Sequence, residues 1–215
     1  MVRVRKKPSR DWCPPSRYSE LIIKENLSEE KVLIVYATGE GQTRKVAHFI
    51  GNSIEHCGIK VDYLDANEPH SKSFSCDNYR GIVLGSSLRY RRYAASLGEF
   101  IRQHKGELER VPSAFYSVSL GDVKGWRFGV TWCIDHFLHR NAWQPRVIGR
   151  FGGALRYTKY ENKWMKTGML FGAAIMGHPT DTSRDHELTD WNEVVKFTDN
   201  FVTIIFAEYV RDCSL

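Results

Sequence analysis

The sequence lacks most of what a secreted, membrane-spanning or metal-clustered protein requires. Its five cysteines, Cys13, Cys57, Cys76, Cys133 and Cys213, are scattered, odd in number and never spaced as C-x-x-C. That pattern argues against a disulfide scaffold or a structural zinc site and fits a reducing compartment. No stretch reaches the roughly 18 uninterrupted apolar residues of a transmembrane helix. The apolar core of a secretory signal is missing as well. Acidic charge is in short supply, with 25 Asp and Glu against 31 Lys and Arg, a formal charge of +6. An excess of this sign favours anionic partners and argues against an electron carrier that docks through an acidic face. Two phosphate motifs are also absent. There is no Gly-x4-Gly-Lys-Ser/Thr loop, whose lysine would reach the outer phosphates of ATP or GTP, and no G-x-G-x-x-G dinucleotide turn.

What is present is a different phosphate turn, Ala37-Thr38-Gly39-Glu40-Gly41-Gln42-Thr43. Before it runs Lys31-Val-Leu-Ile-Val-Tyr36, a short β-branched stretch that reads as a fully buried strand. After it, Val46, Phe49, Ile50 and Ile54 recur at helical spacing between Arg44 and His56. At the end of such a strand, the first N–H groups of the helix have no internal acceptor and carry the positive end of its dipole. Thr38 and Thr43 add hydroxyl donors, so a phosphate dianion can be held without a lysine. What remains is a monophosphate seat of the flavodoxin type, which places flavin mononucleotide (FMN) at the switch point of the sheet. A glycine-rich turn with no ligand is the alternative.

At 215 residues the chain has the length for one α/β domain with extensions. Residues 1–30 read as a basic N-terminal extension, poorly ordered, with Arg3, Arg5, Lys6, Lys7, Arg10 and Arg17 and the breakers Pro8, Pro14 and Pro15. Residues 31–215 form the domain. Further strands are expected at Lys60 to Asp65, Gly81 to Ser86, Ser113 to Ser119 and Arg146 to Leu155, with a basic helix at Tyr93 to Lys105 and a last helix at Asp190 to Tyr209. Asp190 and Glu193 offer that last helix a capping box. Five strands alternating with helices predict an α/β, flavodoxin-like, doubly wound parallel sheet whose ligand crevice lies beyond the carboxyl ends of the strands.

Three loops should meet there: the phosphate turn, Ser86-Ser87-Leu88-Arg89-Tyr90, and Ser117-Val118-Ser119-Leu120-Gly121. Their backbone groups can reach a flavin's edge, and Tyr90 can stack on its face. An inserted helical segment, Gly121 to Pro145, is expected near this crevice. In it Cys133, His136 and His139 recur every third residue, a broad fan for a metal site and one with no evident fourth ligand, and are expected to make a polar stripe on a lid. No metal is expected. The apolar run Gly168 to Gly177 is too short to span a bilayer; flanked by Lys159, Lys163 and Lys166, it reads as a buried helix or one lying at a membrane surface.

Several motifs in order, Thr38-x-x-Gly41-Gln42-Thr43, Gly85-Ser-Ser-Leu-Arg-Tyr90, Pro112-Ser-Ala-Phe-Tyr-Ser-Val118, Gly153-Ala-Leu-Arg-Tyr157, Thr180-Asp181-Thr182 and Leu188-Thr189-Asp190-Trp191, resemble the quinone-dependent protoporphyrinogen oxidases. The resemblance covers about Lys31 to Ala207. It implies a flavodoxin-like fold, FMN, and oxidation of protoporphyrinogen IX with a quinone, menaquinone or ubiquinone, as acceptor. It also implies a peripheral membrane location facing a reducing compartment, either the cytoplasmic side of a bacterial inner membrane or a mitochondrial membrane. Oligomeric state stays open, and nucleic acid is not an expected partner. The resemblance adds Thr180 and Asp181 to the cofactor residues. For a macrocycle with two propionates it makes Arg89, Arg91, Arg92 and Lys124 the candidate contacts. Glu40 stands where ordinary flavodoxins place a threonine, so its carboxylate is expected to point away from a bound phosphate. A flavodoxin-type electron carrier, an NAD(P)H:quinone reductase of the same fold, and a cofactor-free basic module remain the competing readings.

Overall fold

The first strand, β1 (Lys31–Ala37), sends alternate side chains to opposite faces and buries nearly all of them, which only a central strand covered on both sides can do. The computed structural model describes residues 30–68, 78–120, 127–155, 157 and 180–212. Along them follow α1 (Gln42–His56), β2 (Lys60–Asp65), β3 (Gly81–Ser87), α2 (Ala95–Gln103), α3 (Lys105–Arg110), β4 (Ser113–Ser119), α4 (Arg127–Arg140), β5 (Val147–Gly152), β6 (Ala154–Leu155), β7 (His186–Glu187) and α5 (Trp191–Asp212). The five long strands form one parallel sheet in the order β2-β1-β3-β4-β5. This is the flavodoxin-like order, with its switch point between β1 and β3.

Val32, Ile34 and Tyr36 pack with Val46, Ile50 and Ile54 of α1 and Phe197, Phe201 and Ile205 of α5. Leu33, Val35 and Ala37 face the other way, against Leu97 and Ile101 of α2, Leu108 of α3 and Val130, Ile134 and Leu138 of α4. Helices therefore cover both faces, as the apolar strands require.

Several expectations shift in detail. The first helix opens at Gln42, two residues before Arg44, because Gly41 at φ 92° closes the turn at once. The basic helix breaks at His104 into α2 and α3, and the break still lets Leu108 reach the core. The fifth strand leaves the sheet after Gly152. Gly153 donates its N–H to the Ser119 carbonyl (2.9 Å), and Ala154–Leu155 pairs antiparallel with β7 in a small annex. Asp190 caps α5 by accepting the Asn192 N–H (3.1 Å), while Glu193 turns to Lys196 (3.0 Å). The segment between β4 and β5 contains α4, the crossover that a parallel sheet needs there. Cys133 is buried while His136 and His139 are exposed, so the three do not form one polar stripe over the crevice. A step of three turns a helix by about 300°, and α4 spends its inward face on packing. The extension 1–29 and the apolar run Gly168 to Gly177 lie outside the described residues.

Candidate functional site

The phosphate turn is closed by its own residues. The Thr38 hydroxyl accepts the Gly41 N–H (2.9 Å), and Gly41 takes a left-handed backbone that a side chain would strain. The first turn of α1 then starts with no acidic side chain, its leading N–H groups lacking intrahelical acceptors. Thr43 is anchored from below. Tyr116 passes under Gly85, where an added Cβ would lie 1.8 Å from its ring, and donates its phenol to the Thr43 carbonyl (3.1 Å). Complete burial pushes the Tyr116 phenol well above the usual tyrosine range, so it stays a donor. The Thr43 hydroxyl itself is buried with no hydrogen-bond partner. An orphaned buried hydroxyl costs about 1–3 kcal/mol, which an anion seated at the helix end would relieve.

Gln42 has a different task. Its side-chain amide donates to Glu187 (2.8 Å) and to the Thr189 hydroxyl (2.8 Å). Lys45 joins the same Glu187 carboxylate (2.7 Å), and Thr189 donates to the Gly152 carbonyl (2.6 Å). The head of α1 is thereby tied to the annex beside β5, leaving the Gln42 backbone for the turn.

Above the turn lies a crevice of about 330 Å³. It is lined by Thr38, Glu40, Gln42 and Thr43, by Ser87 to Arg91, by Val118, Ser119 and Leu120, and by Val130, Gly153 and Ala154. Its walls are mostly apolar, with polar side chains supplied by the turn, by Ser87, Arg89 and Arg91, and by Ser119, the usual make-up of a small-molecule site. Arg89 donates to Glu40 (3.0 Å), which draws that carboxylate into an ion pair, as its place in a phosphate turn demands. Arg89 and Arg92 exchange backbone hydrogen bonds (3.0 and 2.9 Å) around a two-residue tip. There Tyr90 (φ 49°) and Arg91 (φ 62°) both take left-handed backbones, the geometry of a type I′ turn. Tyr90 stands 88% exposed, and Arg91 lies over the Trp132 ring (5.4 Å).

Most of the expected cofactor residues converge. Thr38, Glu40, Gln42, Thr43, Ser87, Leu88, Arg89, Tyr90, Val118, Ser119 and Leu120 line the crevice, and Gly41 shapes its turn. Gly39 borders a neighbouring cavity instead. Ser86 and Ser117 are fully buried supports: the Ser86 hydroxyl accepts the Ala94 N–H (3.4 Å), and Ser117 accepts the Tyr93 phenol (2.9 Å). Thr180 and Asp181 are exposed and are not among the residues lining the crevice. Asp181 accepts from the Ser183 N–H and hydroxyl and pairs with Arg184, bonds that hold its carboxyl below the usual range. Of the cationic candidates, Arg89 and Arg91 border the crevice and Arg92 the neighbouring cavity. Gly121 and Lys124 lie outside the described residues. Gly153 and Ala154 were read as the end of the fifth strand and as part of a family motif but not as crevice residues, although the carboxyl ends of the strands are where such residues are expected. Val130 carried no signal, since one apolar residue on a packed helix looks like any other.

Comparison with known proteins fits this geometry. Residues 33–183 match the flavodoxin domain model, a span that includes every described residue of the crevice. The chain is 33% identical over 170 residues to protoporphyrinogen IX dehydrogenase [quinone] of Escherichia coli strain K12, covering 78% of this chain and 92% of that protein. It is 29% identical over 180 residues to the protein of the same name from Leishmania major, covering 82% and 77%. A solved short-chain flavodoxin associated with a bacterial microcompartment aligns at a TM-score of 0.47 and 11% identity, covering 82% of this chain and 99% of that one. The cofactor indicated is a flavin, and the unpartnered Thr43 hydroxyl beneath an apolar-walled crevice suits its phosphate-bearing chain and ring. By domain match and by identity, the chain belongs to the flavodoxin-domain family that includes the quinone-dependent protoporphyrinogen IX dehydrogenases.

Proposed function

We propose that the chain binds FMN in this crevice and oxidises protoporphyrinogen IX to protoporphyrin IX, passing the electrons to a quinone. The observation that carries the reading is the similarity to the Escherichia coli dehydrogenase across 92% of that protein, together with a family match that spans the whole described crevice.

A monophosphate is favoured over a longer phosphate chain because the seat is one helix end and two hydroxyls, with no lysine in the turn. Thr43 donates to the phosphate, Thr38 holds the turn shut, and Arg89 neutralises Glu40 beside it. Leu88, Val118, Leu120 and Val130 keep water from the ring's site. When bound, the flavin supplies a two-electron acceptor for hydride. The one carboxylate among the described lining residues, Glu40, is already ion-paired, so the protein's part is to position and to exclude water.

The reading extends to a peripheral membrane site on the side of a reducing compartment, where a quinone and a greasy macrocycle are both found. Its support is the aromatic row Phe128, Trp132 and His136 on α4, exposed beside the crevice and topped by Arg91, on a chain of charge +6.

Purified full-length protein should be yellow, release FMN on denaturation, and oxidise protoporphyrinogen IX without oxygen only when a quinone is supplied. Bound FMN with no quinone-dependent turnover would overturn the proposed reaction. Rapid NAD(P)H oxidation in its place would mark a general quinone reductase.

A further inference from the structure

A second cavity, of about 600 Å³, lies on the other side of the Arg89–Arg92 hairpin. It shares Thr38, Ser87, Arg89 and Tyr90 with the crevice, so the two are neighbours across one wall. Its far side is formed by Asn67 and by Arg92 to Ala94. Two arginines and no carboxylate stand among its described lining residues. Of the acids beside its walls, Glu40 is occupied by Arg89 (3.0 Å) and Asp65 accepts the Asn67 N–H (3.0 Å). A cavity of this size is within the roughly 300–1,000 Å³ range of small-molecule sites, and its unbalanced charge calls for an anion.

The walls are braced before any ligand arrives. Asn67 donates to the Thr38 carbonyl (3.0 Å), and its own carbonyl accepts the Ser96 hydroxyl (3.0 Å), linking the end of β1 to the start of α2. Arg92 is fixed at its backbone by the paired bonds to Arg89. The arginines of this hairpin differ in what they already hold: Arg89 pairs with Glu40, Arg91 lies on Trp132, and Arg92 has no carboxylate partner among the described residues. Arg92 is also exposed, so its guanidinium is free to form the two parallel N–H···O bonds that suit a carboxylate.

The geometry points to this second cavity as the seat of a substrate carboxylate, with Arg92 as its contact. Resting on the proposed oxidation of a porphyrinogen, the assignment says how the macrocycle is oriented. A propionate is held by Arg92 behind the hairpin, while the ring system reaches past exposed Tyr90 toward the crevice. It also divides the roles of the arginines, with Arg89 serving the phosphate turn and Arg92 serving the substrate.

The test is equilibrium binding of deuteroporphyrin IX, a stable dicarboxylate, and of its dimethyl ester to the FMN-loaded full-length protein, read by quenching of porphyrin fluorescence. Arg92→Gln should weaken the free acid about tenfold, the effect of losing one charge-assisted contact, and leave the ester and FMN unchanged. Arg92→Lys should recover part of the loss by keeping the charge. Arg140→Gln serves as a charge-matched control, about 15 Å of helix from Val130, and should change nothing. Equal weakening of acid and ester, or none, in Arg92→Gln would overturn the assignment. If wild-type protein binds the acid in an Arg92-dependent way yet oxidises no porphyrinogen, the proposed reaction fails and the carboxylate site stands. If it oxidises porphyrinogen with no dependence on Arg92 in binding or KM, the site fails and the reaction stands.

Discussion

At Thr43 the requirements of folding and of binding have opposite signs. Its hydroxyl is buried without a partner, so in the empty protein it is a desolvated dipole with nothing to offset it. With a phosphate seated above it, the same hydroxyl becomes a charge-assisted donor. Thr43→Val keeps the shape and removes the dipole, and is expected to lower FMN affinity by about 1.5–3 kcal/mol. The flavin-free variant should unfold in urea at no lower concentration than flavin-free wild type, because an unpaired polar atom has been removed. Flavin titration and urea melts of the two stripped proteins check both halves. Unchanged FMN affinity would place the phosphate elsewhere. The importance of Thr43 was legible in the sequence from the turn's pattern of glycines and threonines at a strand-to-helix junction. The pairing that makes Glu40 tolerable there was not, since Arg89 is 49 positions away and only the fold brings them together.

At the scale of elements, what could be read and what could not divide along physical lines. β2 and β4 fall where β-branched and aromatic runs bounded by turns predict them, residue for residue. The β4 run is buried throughout, which only a strand covered on both faces allows, whereas β2 lies at the sheet edge and is nowhere fully buried. The annex was out of reach, because β6 and β7 are two residues each and pair only after β5 has left the sheet. The same holds for the clamp of Gln42 on Glu187, 145 positions apart. The last helix was plain from its spacing, but one misfit within it was not. Asp199 lies partly buried on α5, its Oδ1 without a partner, and burial pushes its pKa up to about 6 from 3.8. A carboxyl raised in this way binds its proton more tightly folded than unfolded. It therefore costs stability above about pH 6, and the cost fades as pH falls from 6 toward 4. Asp199→Asn should be more stable than wild type at pH 7, by on the order of 1 kcal/mol once screening of this partly exposed group is allowed for. The difference should close near pH 4. Thermal melts across that range decide it; a gain that does not change with pH would mean the group titrates normally.

On the scale of the whole molecule, charge and exposed aromatic area are the features the interior does not explain. The chain carries a formal charge of +6, visible in its composition, but where apolar surface would gather was not. Residues 168–177, the apolar run that drew attention, lie outside the described part. The structure instead exposes Phe128 (94%) and Trp132 (55%), one helical turn apart on α4, with Arg91 stacked on Trp132 and Tyr90 at the adjoining hairpin tip. Large aromatics are seldom left in water side by side, and rings beside cations suit the boundary between headgroups and acyl chains. That row borders the crevice through Val130 and Arg91, so a lipid surface meeting it would bring dissolved quinone to the mouth of the site. The full-length protein should therefore sediment with vesicles containing phosphatidylglycerol, and less so as salt rises, because the attraction of basic residues to anionic lipid is screened. Replacing both Phe128 and Trp132 with serine removes two rings worth roughly 1.5–3 kcal/mol each when buried. It should weaken vesicle binding at least tenfold, even at the salt concentration where charge counts least, and leave FMN binding as it was. If the double variant binds vesicles like wild type, basic charge alone carries the contact and α4 does not face the membrane.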